Sequence, residues 1–217
     1  MPRQILIKPP LIVGVTGGIG SGKSEVCSVF SSLGARCYFA DQIAKELLDS
    51  DSIVRTSVEE RFGSHLYRTD HTLDRKALAK IVFGDDGALR AIDEIVHPRV
   101  TERLRKIIQS ETERREAPVI AIEAALIFEA HIEELFDYIV VVAARLEERI
   151  SRTAKRDSAT EADVRRRIGS QLPPEEVEKR GDFVIRNSGN REQLRESCEF
   201  IFSLLTQMGP PEKEAEE

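Results

Sequence analysis

LIVGVTGGIGSGKSEVCSVFSSL, Leu11 to Leu33, holds three textures in a fixed order. A short β-rich run, Leu11–Thr16, is followed by a glycine-dense stretch. Val26, Val29, Phe30 and Leu33 then recur at helical spacing. This is a strand, a loop and a helix N-terminus. The loop itself, GGIGSGKS from Gly17 to Ser24, satisfies the G-x-x-x-x-G-K-[ST] phosphate-loop pattern. Glycines at 17, 18, 20 and 22 permit left-handed torsions that turn successive N–H groups inward as an anion nest. The positive end of the following helix adds to that field. Lys23 can reach terminal phosphates as a point charge, and the Ser24 hydroxyl can ligate Mg²⁺. A glycine turn without a ligand would leave Lys23 and four glycines with nothing to do. Nucleotide contacts are therefore expected along Gly18, Ile19, Gly20, Ser21, Gly22, Lys23, Ser24 and Glu25.

Outward from this stretch the chain alternates between short apolar runs and amphipathic segments. Arg36–Phe39, Val119–Glu123, Tyr138–Ala143 and Phe183–Arg186 join Leu11–Thr16 as expected strands. The pattern predicts an α/β protein whose five-stranded, largely parallel sheet is flanked by helices. Between about Ser50 and Glu116 the strands stop. Val54, Val58 and Phe62, then Leu78, Ile81 and Val82, then Ile92, Val96 and Leu104 recur at helical spacing, so 51–116 reads as a helical insertion. After Ala144 the texture turns charged, with Arg149, Arg152 and Arg156 on one helical face. Residues 1–50, 117–145 and 181–207 are thus assigned to a nucleotide-binding core, 146–180 to a small helical lid, and 208–217 to an acidic tail expected to fray.

Composition excludes other classes. Of 217 residues 41% are hydrophobic and 32% charged, which fits neither a disordered chain nor a membrane protein. Thirty-two Lys and Arg against 38 Asp and Glu give a net charge of −6, which argues against a protein that coats nucleic acid. Cys27, Cys37 and Cys198 contain no CxxC pair, so a disulfide framework or zinc knuckle is not expected and a reducing compartment is. No apolar run reaches the ~18 residues of a membrane span. MPRQILIKPP lacks a secretion signal, and the chain reads as cytoplasmic.

A phosphate loop does not by itself separate an ATPase, a GTPase and a kinase. Neither an NKxD base-reading motif nor a DxxG loop is present, which lowers the GTPase reading. A kinase needs a carboxylate to orient the acceptor. Asp41 follows the second strand run at the carboxyl edge of the sheet, where α/β ligands collect. It suits a base and equally suits an N-cap for the helix QIAKELL. Glu123 ends a buried strand, which is costly unless its charge meets a cation, so it reads as a contact to Mg²⁺ through water or as one half of an ion pair. With a phosphate loop in the chain, the arginine face becomes a candidate lid, with Arg152 and Arg156 the chosen contacts to the transferring phosphate.

Taken together, VTGGIGSGKS, the AD-Q-IA run at Ala40–Ala44, His97-Pro98, ALIFE at Ala125–Glu129 and R-x-x-x-RD at Arg152–Asp157 resemble the dephospho-CoA kinase family, over about Ile12 to Leu205. The resemblance implies a P-loop NTPase fold and ATP-dependent phosphorylation of the ribose 3′-hydroxyl of dephospho-CoA. It implies Mg²⁺ as cofactor and ATP and dephospho-CoA as small-molecule partners, with no nucleic acid or membrane partner and a monomer or weak oligomer. It makes Asp41 the base, Lys23 and Arg152 its catalytic companions, and His97, Leu126 and Glu129 acceptor-side residues. On spacing alone His97-Pro98 reads instead as a helix junction, with Pro98 at a first helical position. The chain departs from the family's pattern at Phe39, where DAD is common, at Glu123 and Ala125 in place of D-x-P, and at Glu25 in place of Thr. Two other readings are a phosphate-loop kinase for a different small acceptor, and a regulatory module that hydrolyses ATP slowly.

Overall fold

The computed structural model describes residues 8–82 and 85–211, residue 86 without its side chain. Residues 1–7 and 212–217, which hold most of the N-terminal segment and of the acidic tail, lie outside the described residues. Contacts divide the chain into two units, one made of the residues up to Tyr38 and from Ile108 onward, the other of Phe39–Ile107.

In the first unit the strands are β1 (Leu11–Thr16), β2 (Arg36–Phe39, its last residue opening the other unit), β3 (Val119–Glu123), β4 (Tyr138–Ala143) and β5 (Phe183–Arg186). They occupy the spans expected from the sequence. They form one sheet in the order β2-β3-β1-β4-β5, with β1 parallel to both β3 and β4. Every residue of β1 is buried, as its unbroken apolar run requires of a central parallel strand. Val15 stands opposite Glu123 on one side and Val140 on the other, so the carboxyl ends of three strands meet where the glycine loop begins. Helix α1 (Lys23–Ser32) leads away from the loop and packs on the C-terminal helix, α9 (Arg191–Met208), through Phe30 and Phe202, whose rings are 5.5 Å apart.

The second unit is helical and spans Phe39–Ile107, where the sequence alone predicts a helical region at 51–116. It holds α2 (Ala40–Ser50), α3 (Ser52–Phe62), α4 (Arg75–Val82) and most of α5 (Asp86–Arg114). Asp51 caps α3 by accepting the N–H bonds of Ile53 and Val54, and its second oxygen takes Arg99 at 2.7 Å. Val54, Val58, Leu66, Leu73 and Leu78 are buried. One expectation fails here: the chain has no junction at His97-Pro98, because α5 continues through Pro98. A proline inside a helix costs about 3 kcal/mol through one lost hydrogen bond and a ring clash. Ile92, Val96, Val100 and Leu104, four residues apart and all buried, offset it by keeping one apolar stripe on both sides of the proline.

After β4 come α6 (Leu146–Asp157), α7 (Glu161–Gly169) and α8 (Pro174–Arg180), all within the first unit, and the chain ends in α9 after β5.

Candidate active site

The loop after β1 is built by its glycines and by donors that bind its carbonyls. Gly17 has φ 137°, and a Cβ there would lie 2.3 Å from the carbonyl oxygen of Val142 on β4. Gly22, with φ 99°, caps α1 in the left-handed region, and a Cβ there would meet the Asn187 carboxamide at 2.1 Å. No other residue fits either position. The Lys23 ammonium folds back to the carbonyl of Gly17 at 2.8 Å. The carbonyl of Ile19 accepts from Arg149 Nε at 3.0 Å, and that of Ser21 from Asn187 Nδ2 at 2.8 Å.

With the carbonyls of Gly17, Ile19 and Ser21 taken, the loop presents amides. The N–H groups of Gly20, Gly22 and Ser24 have no hydrogen-bond partner among the described residues. The Ser21 hydroxyl is buried and likewise has none. Such groups at the positive end of a helix are complementary to an anion carrying several oxygens. The Ser24 hydroxyl lies exposed on the first turn of α1, and Glu123 ends β3 with one carboxylate oxygen fully buried. Both are hard oxygen donors of the kind Mg²⁺ takes when substrate phosphates fill the rest of its shell. Among the described residues no group of three or more His, Cys, Asp or Glu side chains forms a metal cage.

A narrow cleft lies beside the loop, lined by Gly17, Gly18, Ser21, Glu129, Arg149 and Gln171 among others. The three arginines of α6 differ in their surroundings. Arg149 is the buried one, 4% exposed, its guanidinium against Gly18. Burial pulls its pKa below the ordinary arginine value. Arg152 bonds the carbonyl of Asn187 at 3.0 Å and Glu148 at 3.2 Å, and so reaches the loop through Asn187. Arg156 turns to Asp157 at 2.7 Å and is largely exposed. Glu25 is turned toward Arg191 on α9, 3.3 Å away. Leu126 sits half-buried in the turn after β3, and Glu129 in that turn accepts the backbone N–H of Leu172 at 3.0 Å.

Asp41 and His97 belong to the helical unit. Asp41 is not the N-cap of α2: the helix begins one residue earlier, Phe39 is the cap residue, and no side chain caps it. The Asp41 carboxylate is exposed in the first turn and makes no hydrogen bond among the described residues. His97 stands one helical turn from Asp93, with Nε2 3.6 Å from its carboxylate. Burial raises the Asp93 pKa and His97 opposes that shift.

Reading the sequence did not single out Asn187, Gln171 or Thr153, whose buried hydroxyl faces Gly20 with no hydrogen-bond partner among the described residues. Asn187 had a signal: it is the first residue past β5, the kind of position that marked Asp41 and Glu123. Gln171 and Thr153 had none.

A family model described as dephospho-CoA kinase matches residues 11–193. The chain is 40% identical over 202 residues to a dephospho-CoA kinase of Chlorobaculum tepidum, covering 91% of this chain and 96% of that one. Among solved structures, a Thermus thermophilus protein superposes with a TM-score of 0.72 at 34% identity, over 91% of this chain and 99% of its own. The dephospho-CoA kinase from Campylobacter jejuni does so with a TM-score of 0.69 at 26% identity, over 91% and 98%. A phosphate loop at the end of a central parallel strand, in a chain that matches these relatives nearly end to end, places the protein in the dephospho-CoA kinase family.

Proposed function

We propose that the chain transfers the terminal phosphoryl group of ATP directly to the ribose 3′-hydroxyl of dephospho-CoA, giving CoA and ADP as the last step of CoA biosynthesis. The observation that carries this reading is the loop whose carbonyls at Gly17, Ile19 and Ser21 are taken by Lys23, Arg149 and Asn187 while the amides of Gly20, Gly22 and Ser24 have no partner among the described residues. Those amides and Lys23 bind the phosphate chain and take up charge that develops on it. Ser24 and Glu123 would hold Mg²⁺, the latter through water, and the ion would supply positive charge to offset that of the phosphates. Asp41 accepts the proton of the attacking hydroxyl or orients it, in keeping with a carboxylate that makes no hydrogen bond among the described residues. Arg152, already carried on Asn187, is the lid arginine that meets the transferring group. Residues 51–116, with His97, receive the acceptor. Phe39 leaves Asp41 without a second acid two residues before it, so a single carboxylate performs the proton step.

The reading also takes the enzyme to be cytoplasmic and a monomer or weak oligomer. Among the described residues no helix is long and apolar enough to cross a membrane.

The test is one assay with parallel acceptors: Mg²⁺-ATP with dephospho-CoA, AMP, CMP or pantothenate. Dephospho-CoA alone is expected to accelerate ADP release. Asp41→Asn and Lys23→Ala are each expected to lower kcat by roughly 10²–10⁴-fold with the fold retained. Near-normal turnover in Asp41→Asn removes the base assignment, and ADP release indifferent to every acceptor points to the regulatory ATPase.

A further inference from the structure

Ile19 sits between Gly18 and Gly20, the most freely turning stretch of the loop, and both of its peptide groups are held by side chains of the lid segment. Its N–H donates to Gln171 Oε1 at 2.9 Å, across 152 residues of sequence. Its carbonyl accepts from Arg149 Nε at 3.0 Å. The two holders come from different places, Arg149 from α6 and Gln171 from the turn between α7 and α8. That turn is fixed in its own right, since Leu172 N–H donates to Glu129 Oε1 at 3.0 Å. The chain of contacts therefore runs from the turn after β3, through the lid, to one residue of the phosphate loop.

We infer that Gln171 and Arg149 are positioning residues for nucleotide binding, a clasp on Ile19 that keeps the following amides turned toward the phosphates. Gln171 takes the N–H of Ile19 and leaves those of Gly20, Gly22 and Ser24 alone, so it steadies the nest without filling it. A glycine-flanked peptide that is not held turns over between orientations. If the competent orientation is populated only in part, apparent affinity falls by that fraction. The opposite role is also chemically coherent: a carboxamide oxygen standing in for a phosphate oxygen would compete with ATP, and its removal would tighten binding.

The inference rests on the reading that this loop binds ATP, and the experiment separates the two. The full chain is compared with Gln171→Leu, which removes the acceptor, Gln171→Glu, which keeps an oxygen at the same reach, and Arg149→Lys, which loses Nε but keeps the charge. Exchange of the Ile19 amide is followed by NMR without nucleotide, and ATP affinity by calorimetry. In Gln171→Leu the Ile19 amide is expected to exchange faster. ATP affinity is expected to fall about three- to tenfold, the worth of one ordinary hydrogen bond. KM for ATP should rise in step, with kcat and KM for dephospho-CoA within about twofold. Gln171→Glu should restore protection of the Ile19 amide, and Arg149→Lys should repeat the loss in ATP affinity. Equal or tighter ATP binding in Gln171→Leu overturns the clasp, as does Ile19 protection that none of the variants changes. A wild-type chain that binds no ATP removes the phosphate-loop reading, and amide exchange still decides whether Gln171 holds Ile19.

Discussion

Asp157 gathers two arginines of the charged segment after β4. It closes α6 and accepts from Arg156 Nε at 2.7 Å and from Arg167 Nη1 at 2.7 Å. The Arg156 bond is the main reason its pKa is held down to about 2; burial opposes the shift and Arg167 adds to it. An unfolded aspartate titrates near 3.9. A carboxylate depressed in the folded state stabilises fully above that unfolded value, and the contribution is lost as pH falls toward 2. For a partly exposed cluster this amounts to about 1 kcal/mol after solvent screening. Thermal melts from pH 5 to pH 2 should therefore show a shallower loss of stability in Asp157→Asn than in wild type, and superimposable slopes would refute the coupling. Helical spacing put Arg149, Arg152 and Arg156 on one face with equal claims. Only the place where α6 meets the loop separates them: Arg149 is buried on Gly18, and two turns later Arg156 is left with Asp157.

At the scale of elements, strand spans were legible to the residue, because a central parallel strand must be apolar throughout and its ends are marked by glycine or charge. Helix α5 was less so. Pro98 is a strong local signal, and a buried stripe of Ile92, Val96, Val100 and Leu104 overrides it. The last part of α5 also carries Glu111, 2% exposed, which accepts from Arg36 at 2.7 Å, Tyr38 at 2.9 Å and Arg114 at 3.2 Å. Arg36 and Tyr38 lie on β2, so this acid ties an edge strand to the helix. Glu111→Ala would leave their donors facing a hole and is expected to cost about 3 kcal/mol in urea unfolding, as when one partner of a buried pair is removed. A loss within experimental error would show that the pairing contributes nothing net.

Across the whole molecule the sheet order puts β1 in the middle and the loop at its carboxyl end, beside the ends of β3 and β4. A ligand bound there couples to the global stability of the unit that contains it. Mg²⁺-ATP at about 100 times its Kd should stabilise the folded state by about 2.7 kcal/mol, or about 5–10 °C in Tm for a chain of this size. Scanning fluorimetry should show the shift in wild type, a smaller one with EDTA, and little in Lys23→Ala. An equal shift in Lys23→Ala would move the nucleotide site elsewhere.

By itself the sequence determined the strands, the phosphate loop and the family, because each rests on residues close together in the chain: a run of apolar side chains, or glycines and a lysine within eight positions. Tertiary structure alone decided which distant side chains hold that loop. Asn187 at Ser21, Arg149 and Gln171 at Ile19 lie 130 to 166 residues from their partners. A hydrogen bond across such a separation leaves no periodicity or spacing in the letters; it exists only once the sheet and the segments after β4 have brought the two ends together.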